Sequence, residues 1–293
     1  TQARGVAMVS VNGVPGQQNN ILVEGINNTE NHNGTGVVVY PPLDALAEFK
    51  VQTSVSDAQF GRGAGGILNL TMKSGGKDFH GNLFEFLRNS ALDAKNFFDP
   101  AGRPAQFIMN QFGATLGGPV WIPGFYNRER KKTFFFISYE GIRRTQSQTL
   151  ISTIPLPEFL GGDFTASPFR IYDPLTTRRA PSGTGFVRDP FSGNVIPADR
   201  LDRVGRNVAN LYPRPTQSGL ANNFVYSPVR TLNTDNGDIK IDHYVSAADW
   251  VTFRLSRGIT DAFDPPALPP PAVGAGPGFP GNFHQPHVQG MLS

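Results

Sequence analysis

The chain has 293 residues with 33 Gly, 25 Pro, 23 Phe and no Cys, and its 26 Lys and Arg against 23 Asp and Glu leave a formal charge of +3. No apolar run approaches the roughly 18 residues of a transmembrane helix, and without Cys there is no disulfide framework, Cys-ligated zinc or thiol nucleophile. A mean hydropathy of -0.26 still admits a transmembrane β-barrel, whose strands need one apolar face over about 9 to 11 residues, while 17% charge with abundant Phe fits neither a disordered chain nor a nucleic-acid binder.

Nothing near Thr1 resembles a charged region followed by an apolar one, so no targeting signal is visible. Gly and Pro are too frequent for much helix. Asn-rich turns surround a strand-like Ile21-Leu22-Val23. The periodicity then predicts one short helix from about Pro42 to Phe49, with Pro42 in its first turn and Leu43, Leu46, Ala47 and Phe49 near one face. Gly61-Arg62-Gly63-Ala64-Gly65-Gly66 leads into a strand at Ile67 to Lys73 and a Ser74-Gly75-Gly76 break.

Beyond residue 78 the pattern becomes alternating strands, at about 79–89, 111–121, 133–145, 237–245 and 249–258. Phe135, Ile137 and Tyr139 share one side of the third, with Phe134, Phe136, Ser138 and Glu140 on the other. In the last two, Ile239, Ile241, Val251, Phe253 and Leu255 alternate with Asp238, Lys240, Asp242, Thr252, Arg254 and Ser256. Period two puts all those charges on one face, which suits a polar lumen inside a lipid-facing exterior, although a half-buried soluble sheet has the same alternation. The connections between these segments alternate long, short, long and short. Outer-membrane barrels do the same, with short periplasmic turns and long outer loops.

These residues resemble the TonB-dependent outer-membrane receptors, of the Oar-like type that often carries an N-terminal carboxypeptidase-regulatory-like domain. Ala58 to Gly75, with its Gly-rich turn, following strand and Lys73-Ser74-Gly75 exit, is similar to the end of that family's plug. Phe79 to Asn89 with Leu92 to Phe98 is similar to its first barrel strand and outer loop, and Asn110 to Pro119 with Lys132 to Gly141 to strands two and three. The resemblance implies a mainly β fold: a small α+β plug over residues 1–78, then the opening antiparallel strands of a 22-stranded barrel over 79–293, incomplete here, with long outer loops at about 147–235 and 259–285. It further implies a non-enzymatic function in a Gram-negative outer membrane, with lipid around the barrel, an unknown extracellular ligand, and TonB acting through an N-terminal box absent from this chain. A surface-binding protein without transport and a secreted soluble all-β protein are the other readings.

Gly61, Gly63 and Gly66 also fit the spacing of a dinucleotide fingerprint, but that motif must open a helix and a strand pattern follows; with Gly65 they read better as a tight plug turn. In related receptors plug arginines pair with barrel glutamates, so Arg62 with Glu85 or Glu140 is the candidate pair, a lumen-facing carboxylate being far cheaper than one in lipid. Residues 170–215 hold eight Arg against four Asp. Arg178, Arg179 and Arg188 there could attract an anionic ligand, or simply be solvated. Asp264 to Asn282, with seven Pro and four Gly, reads as an outer loop. His284-x-x-His287 lacks nearby carboxylates, so neither a metal nor a cofactor is expected.

Overall fold

The computed structural model describes residues 11, 13, 19–29, 37–53, 65–94, 105–147, 149–272 and 280–293. The chain divides into two units, one of residues 1–146, 230–264 and 281–293, the other of residues 147–229 and 265–280.

The first unit begins with a small sheet of β1 (Asn20–Val23), β2 (Ile26–Asn27), β3 (Leu46–Gln52) and β4 (Ile67–Met72), in the order β2-β1-β4-β3. β1 lies parallel to β4, and β3 antiparallel to it with a bulge between Leu46 and Glu48. The helix expected over 42–49 is not formed. Only Leu43–Ala45 make a 3-10 turn, and Leu46 onward extends as β3. An isolated helix of two turns gains little, whereas pairing with β4 satisfies a row of backbone groups, so tertiary pairing overrides the local periodicity.

Six strands form the main sheet: β5 (His80–Asn89), β6 (Phe107–Pro119), β7 (Thr133–Ser147), β12 (Val229–Tyr244), β13 (Trp250–Asp264) and β14 (Gly281–Leu292). Their spatial order is β14-β13-β12-β7-β6-β5, leaving β5 and β14 as edges among the described residues. Several strands run further than the alternation indicates, because pairing continues where the sequence turns polar: β12 and β13 stay in register from Tyr244↔Trp250 out to Thr231↔Phe263. The stretch read as a loop to residue 285 contains the start of a sixth strand, β14, registered on β13 from Asp264↔Gly281 to Phe253↔Leu292. In that register Pro286 stands opposite Ile259 and has no N–H to give to the ladder.

The sheet's burial is inverted relative to a soluble protein. Arg254 is 0% exposed and Lys240 6%, while Ile239 and Phe253, their neighbours on the opposite face, are each 41% exposed. Asp238, Asp242, Thr252 and Ser256 are buried with the cations. In water this arrangement would expose the apolar face and desolvate the charges; in a bilayer lipid covers the first and the polar face lines a lumen. The small sheet covers that polar face, where Phe136 of β7 packs with Val23, Ala45 and Met72.

The second unit holds β8 (Leu150–Ser152) paired with β11 (Phe224–Tyr226), the short helices α1 (Pro157–Leu160) and α2 (Arg203–Ala209), and a hairpin of β9 (Arg178–Arg179) and β10 (Phe186–Val187). Asp202 caps α2, its carboxylate accepting from Gly205 N at 2.7 Å.

Candidate functional site

β1 and β2 are joined by two residues, Glu24 and Gly25, with φ of 53° and 80°. Positive φ at both positions is the geometry of a type I′ turn, which favours Asn, Asp or Gly at its first position. A Glu there is uncommon, and strained residues of this kind gather where a side chain has a task. The turn is pinned to β4, with Glu24 N donating to Leu70 O at 2.8 Å and Gly25 N to Asn69 Oδ1 at 3.1 Å.

So held, the Glu24 side chain reaches the polar face of the main sheet. Lys240 Nζ of β12 donates to its Oε1 at 2.5 Å, and Arg254 Nε of β13 lies 3.8 Å from its Oε2. All three side chains are at least nine-tenths buried. Arg254 also donates to Ser256 Oγ (2.8 Å) and Gln289 Oε1 (2.7 Å). Gln289 Nε2 in turn donates to Asn27 O at 3.1 Å, giving β14 a second contact with the small hairpin. Below this, Asp238 accepts from Ser256 and Ser138 at 2.5 and 2.9 Å. The network therefore ties the β1–β2 turn to β7, β12, β13 and β14. Low local dielectric strengthens each pair and makes removal of one partner costly.

The expected pairing of Arg62 falls outside the described residues, as do Gly61 and Gly63. Gly66 immediately precedes β4, and an added Cβ there would come within 2.8 Å of Val11, so the position needs Gly for close approach; Gly65 lies just before it. A strand, not a helix, follows these glycines, so the helix N-terminus that would hold a pyrophosphate is missing. Glu140 lies on the buried face and accepts from Gln111 Nε2 at 2.8 Å. Glu85 does not share that face: its partner across the ladder is Phe112, whereas Glu140 stands opposite Gly113. The expected lumen-facing Glu85 is thus on the apolar side, one residue out of phase with Glu140. It sits level with Gly141, where the apolar face gives way to Arg143 and Asp235, themselves paired at 2.8 Å.

Glu24, Lys240 and Arg254 were not singled out from sequence as a site. The face of Lys240 and Arg254 already carries Asp238 and Asp242 beside the two cations, so its charge balance calls for no further anion, and the one local signal is a Glu-Gly pair between two short apolar runs.

In the second unit, Arg178 makes a two-pronged pair with Asp189 (2.7 and 2.8 Å) and Arg200 another with Asp173 (3.1 and 2.8 Å). These hydrogen bonds hold both carboxyls below the usual carboxylate range. The β9–β10 register separates the three expected arginines. Arg178, opposite Val187, is neutralised on one face, while Arg179, opposite Phe186, and Arg188, whose Nε donates to Thr177 Oγ1 at 3.0 Å, share the other with the exposed Phe186 ring. Among the described residues no group of His, Asp and Glu could hold a metal ion.

Comparison with known proteins adds to this geometry. A family described as an outer membrane beta barrel domain matches residues 71–293. The chain is 29% identical over 119 residues to the TonB-dependent transporter Oar of Myxococcus xanthus, a match covering 38% of this chain and 11% of that protein. It therefore spans about a ninth of that relative's length. Among solved structures, the ferric enterobactin receptor of Pseudomonas aeruginosa is similar at 12% identity and a TM-score of 0.44, over 87% of this chain and 27% of that one. The siderophore receptor PirA of Acinetobacter baumannii is similar at 11% identity and a TM-score of 0.40, over 97% and 38%.

Proposed function

Because the chain belongs to the outer membrane beta barrel family, we propose that it serves gated import across the outer membrane of a Gram-negative bacterium, as part of a TonB-dependent transporter. The observation that carries this reading is the buried charged face of the main sheet with a separate small sheet set against it. A wall that is polar inward and apolar outward encloses a channel, and a domain inside that channel closes it. In this reading residues up to about 78 are the later part of the plug. The Glu24 contacts to Lys240 and Arg254 hold it in the closed position. An extracellular ligand binds outside, and TonB acts on a segment N-terminal to the plug. Differential affinity of the ligand for closed and pulled states couples the two events. The face bearing Arg179, Arg188 and Phe186 is the part of the outer loops best suited to an anionic ligand, since its arginines lack the carboxylate partner that neutralises Arg178.

The test is uptake in the source bacterium. Strains with and without the gene are grown on a panel of single ligands, each in backgrounds with and without TonB. Import that needs both the gene and TonB supports the reading. Ligand binding to cells that needs the gene but never leads to import would replace it with a surface-binding role.

A further inference from the structure

The connection between β6 and β7, residues 120–132, lies at the end of the sheet where the connections are short, which the barrel rule makes the periplasmic end. It is firmly built. Asn127, at φ 50°, donates through Nδ2 to Val120 O (3.1 Å) and Thr133 O (2.9 Å), bridging the two strand ends, and its Oδ1 accepts from the backbone N–H groups of Lys131 and Lys132 at 2.9 Å each. This fixed turn presents two kinds of surface together. Ile122 and Phe125 are exposed, Phe125 by 83%. Beside them stand Arg128, Arg130, Lys131 and Lys132 against a single Glu129. Lys131 is paired with Glu129 at 2.8 Å, and Arg130 stacks on Trp121 at 4.4 Å with Asp78 3.8 Å away, so Arg128 and Lys132 carry the excess.

The turn is tied to the apolar side of β7, where Thr133 alternates in phase with Phe135. Tyr126 bonds through its hydroxyl to Thr133 at 2.5 Å, and Phe79 and Phe135 lie together on the apolar face just beyond, with ring centroids 6.3 Å apart. An exposed aromatic and aliphatic pair flanked by cations, at the edge of an apolar belt, matches the headgroup layer of a bilayer: rings enter the boundary and cations meet phosphate.

We propose that the β6–β7 turn docks on anionic phospholipid headgroups of the inner leaflet, with Phe125 and Ile122 inserted and Arg128 and Lys132 on the phosphates. The proposal rests on the outer-membrane placement of the chain and is independent of transport.

The chain has two tryptophans, Trp121 and Trp250, so Trp250→Phe leaves Trp121 as the reporter of this turn. The protein is placed in bilayers of phosphatidylcholine with phosphatidylglycerol, and acyl-brominated versions of one lipid or the other serve as quenchers at equal mole fraction. Brominated phosphatidylglycerol is expected to quench Trp121 about twofold more than brominated phosphatidylcholine at low salt, the preference fading at high salt as charges are screened. Replacing Arg128 and Lys132 together by Gln should abolish the preference, and Phe125→Ser should lower quenching by both lipids alike. Equal quenching by the two lipids in the unmutated turn, or quenching by neither, overturns the proposal.

Discussion

Glu24, in a strained left-handed turn of the small sheet, shares a buried hydrogen bond with Lys240 in the middle of β12, across 216 residues of sequence. It is a contact between one sheet's hairpin and another sheet's polar face, and Arg254 completes it.

Removing Glu24 should leave Lys240 and Arg254 without their shared carboxylate, at a cost of about 3–5 kcal/mol, while removing Lys240 too should cost less than the sum of the two single losses. Glu24→Gln, Lys240→Met and the double variant, compared by denaturant unfolding in detergent or lipid, give the coupling directly. Additive losses would mean that the pair does not hold the two sheets together.

Inverted burial makes the two faces of β13 respond oppositely to charge. Leu255→Arg, on the exposed apolar side, should weaken bilayer insertion by about 2–4 kcal/mol. Ser256→Ala, one residue along, should leave insertion intact and instead remove a hydrogen bond from Asp238. A soluble sheet predicts no insertion to lose, so unchanged behaviour of Leu255→Arg in a vesicle-partition assay would count against the membrane-spanning assignment.

Two glycines of the main sheet, one on β6 and one on β12, should tolerate substitution unequally. A Cβ on Gly113 would collide with the Tyr139 carbonyl and come within 2.6 Å of the Phe84 ring, whereas on Gly237 the nearest atom is Ser138 O at 3.7 Å. Gly113→Ala should therefore destabilise the β5–β6–β7 region by about 1–3 kcal/mol, and Gly237→Ala should be nearly neutral. Similar melting temperatures for the two variants would contradict the packing described.

Asp173 and Asp189 should titrate below ordinary aspartates, because Arg200 and Arg178 stabilise their charged forms. A depressed folded pKa adds stability that is present above the unfolded value near 3.9 and is lost as pH falls through the folded value. At neutral pH both pairs are intact, and only strong acid releases them. Carboxyl NMR should find Asp189 returning toward 3.9 in Arg178→Ala with Asp173 unmoved. If Asp189 keeps its low midpoint in that variant, the arginine is not the cause.

The period-two pattern of residues 238–242 and 251–256 by itself determined that this hairpin has one charged and one apolar face, because alternation follows from backbone geometry alone. The strand character of 79–89 and 133–145 was legible in the same way, as was the long-short rhythm of the connections. Which face is buried was not, since a soluble sheet and a barrel wall share the pattern; only the assembled sheets showed Arg254 enclosed and Phe253 outside. The face of Glu85 was likewise decided by register, where one residue of slip reverses every side chain. β3 replaced an expected helix because its partner β4 lies beyond residue 66, out of reach of a local reading. The Glu24 site was invisible for the same reason: sequence states which residues carry charge, but a buried ion pair exists only where the chain's return path places opposite charges within a few ångströms of each other, away from water.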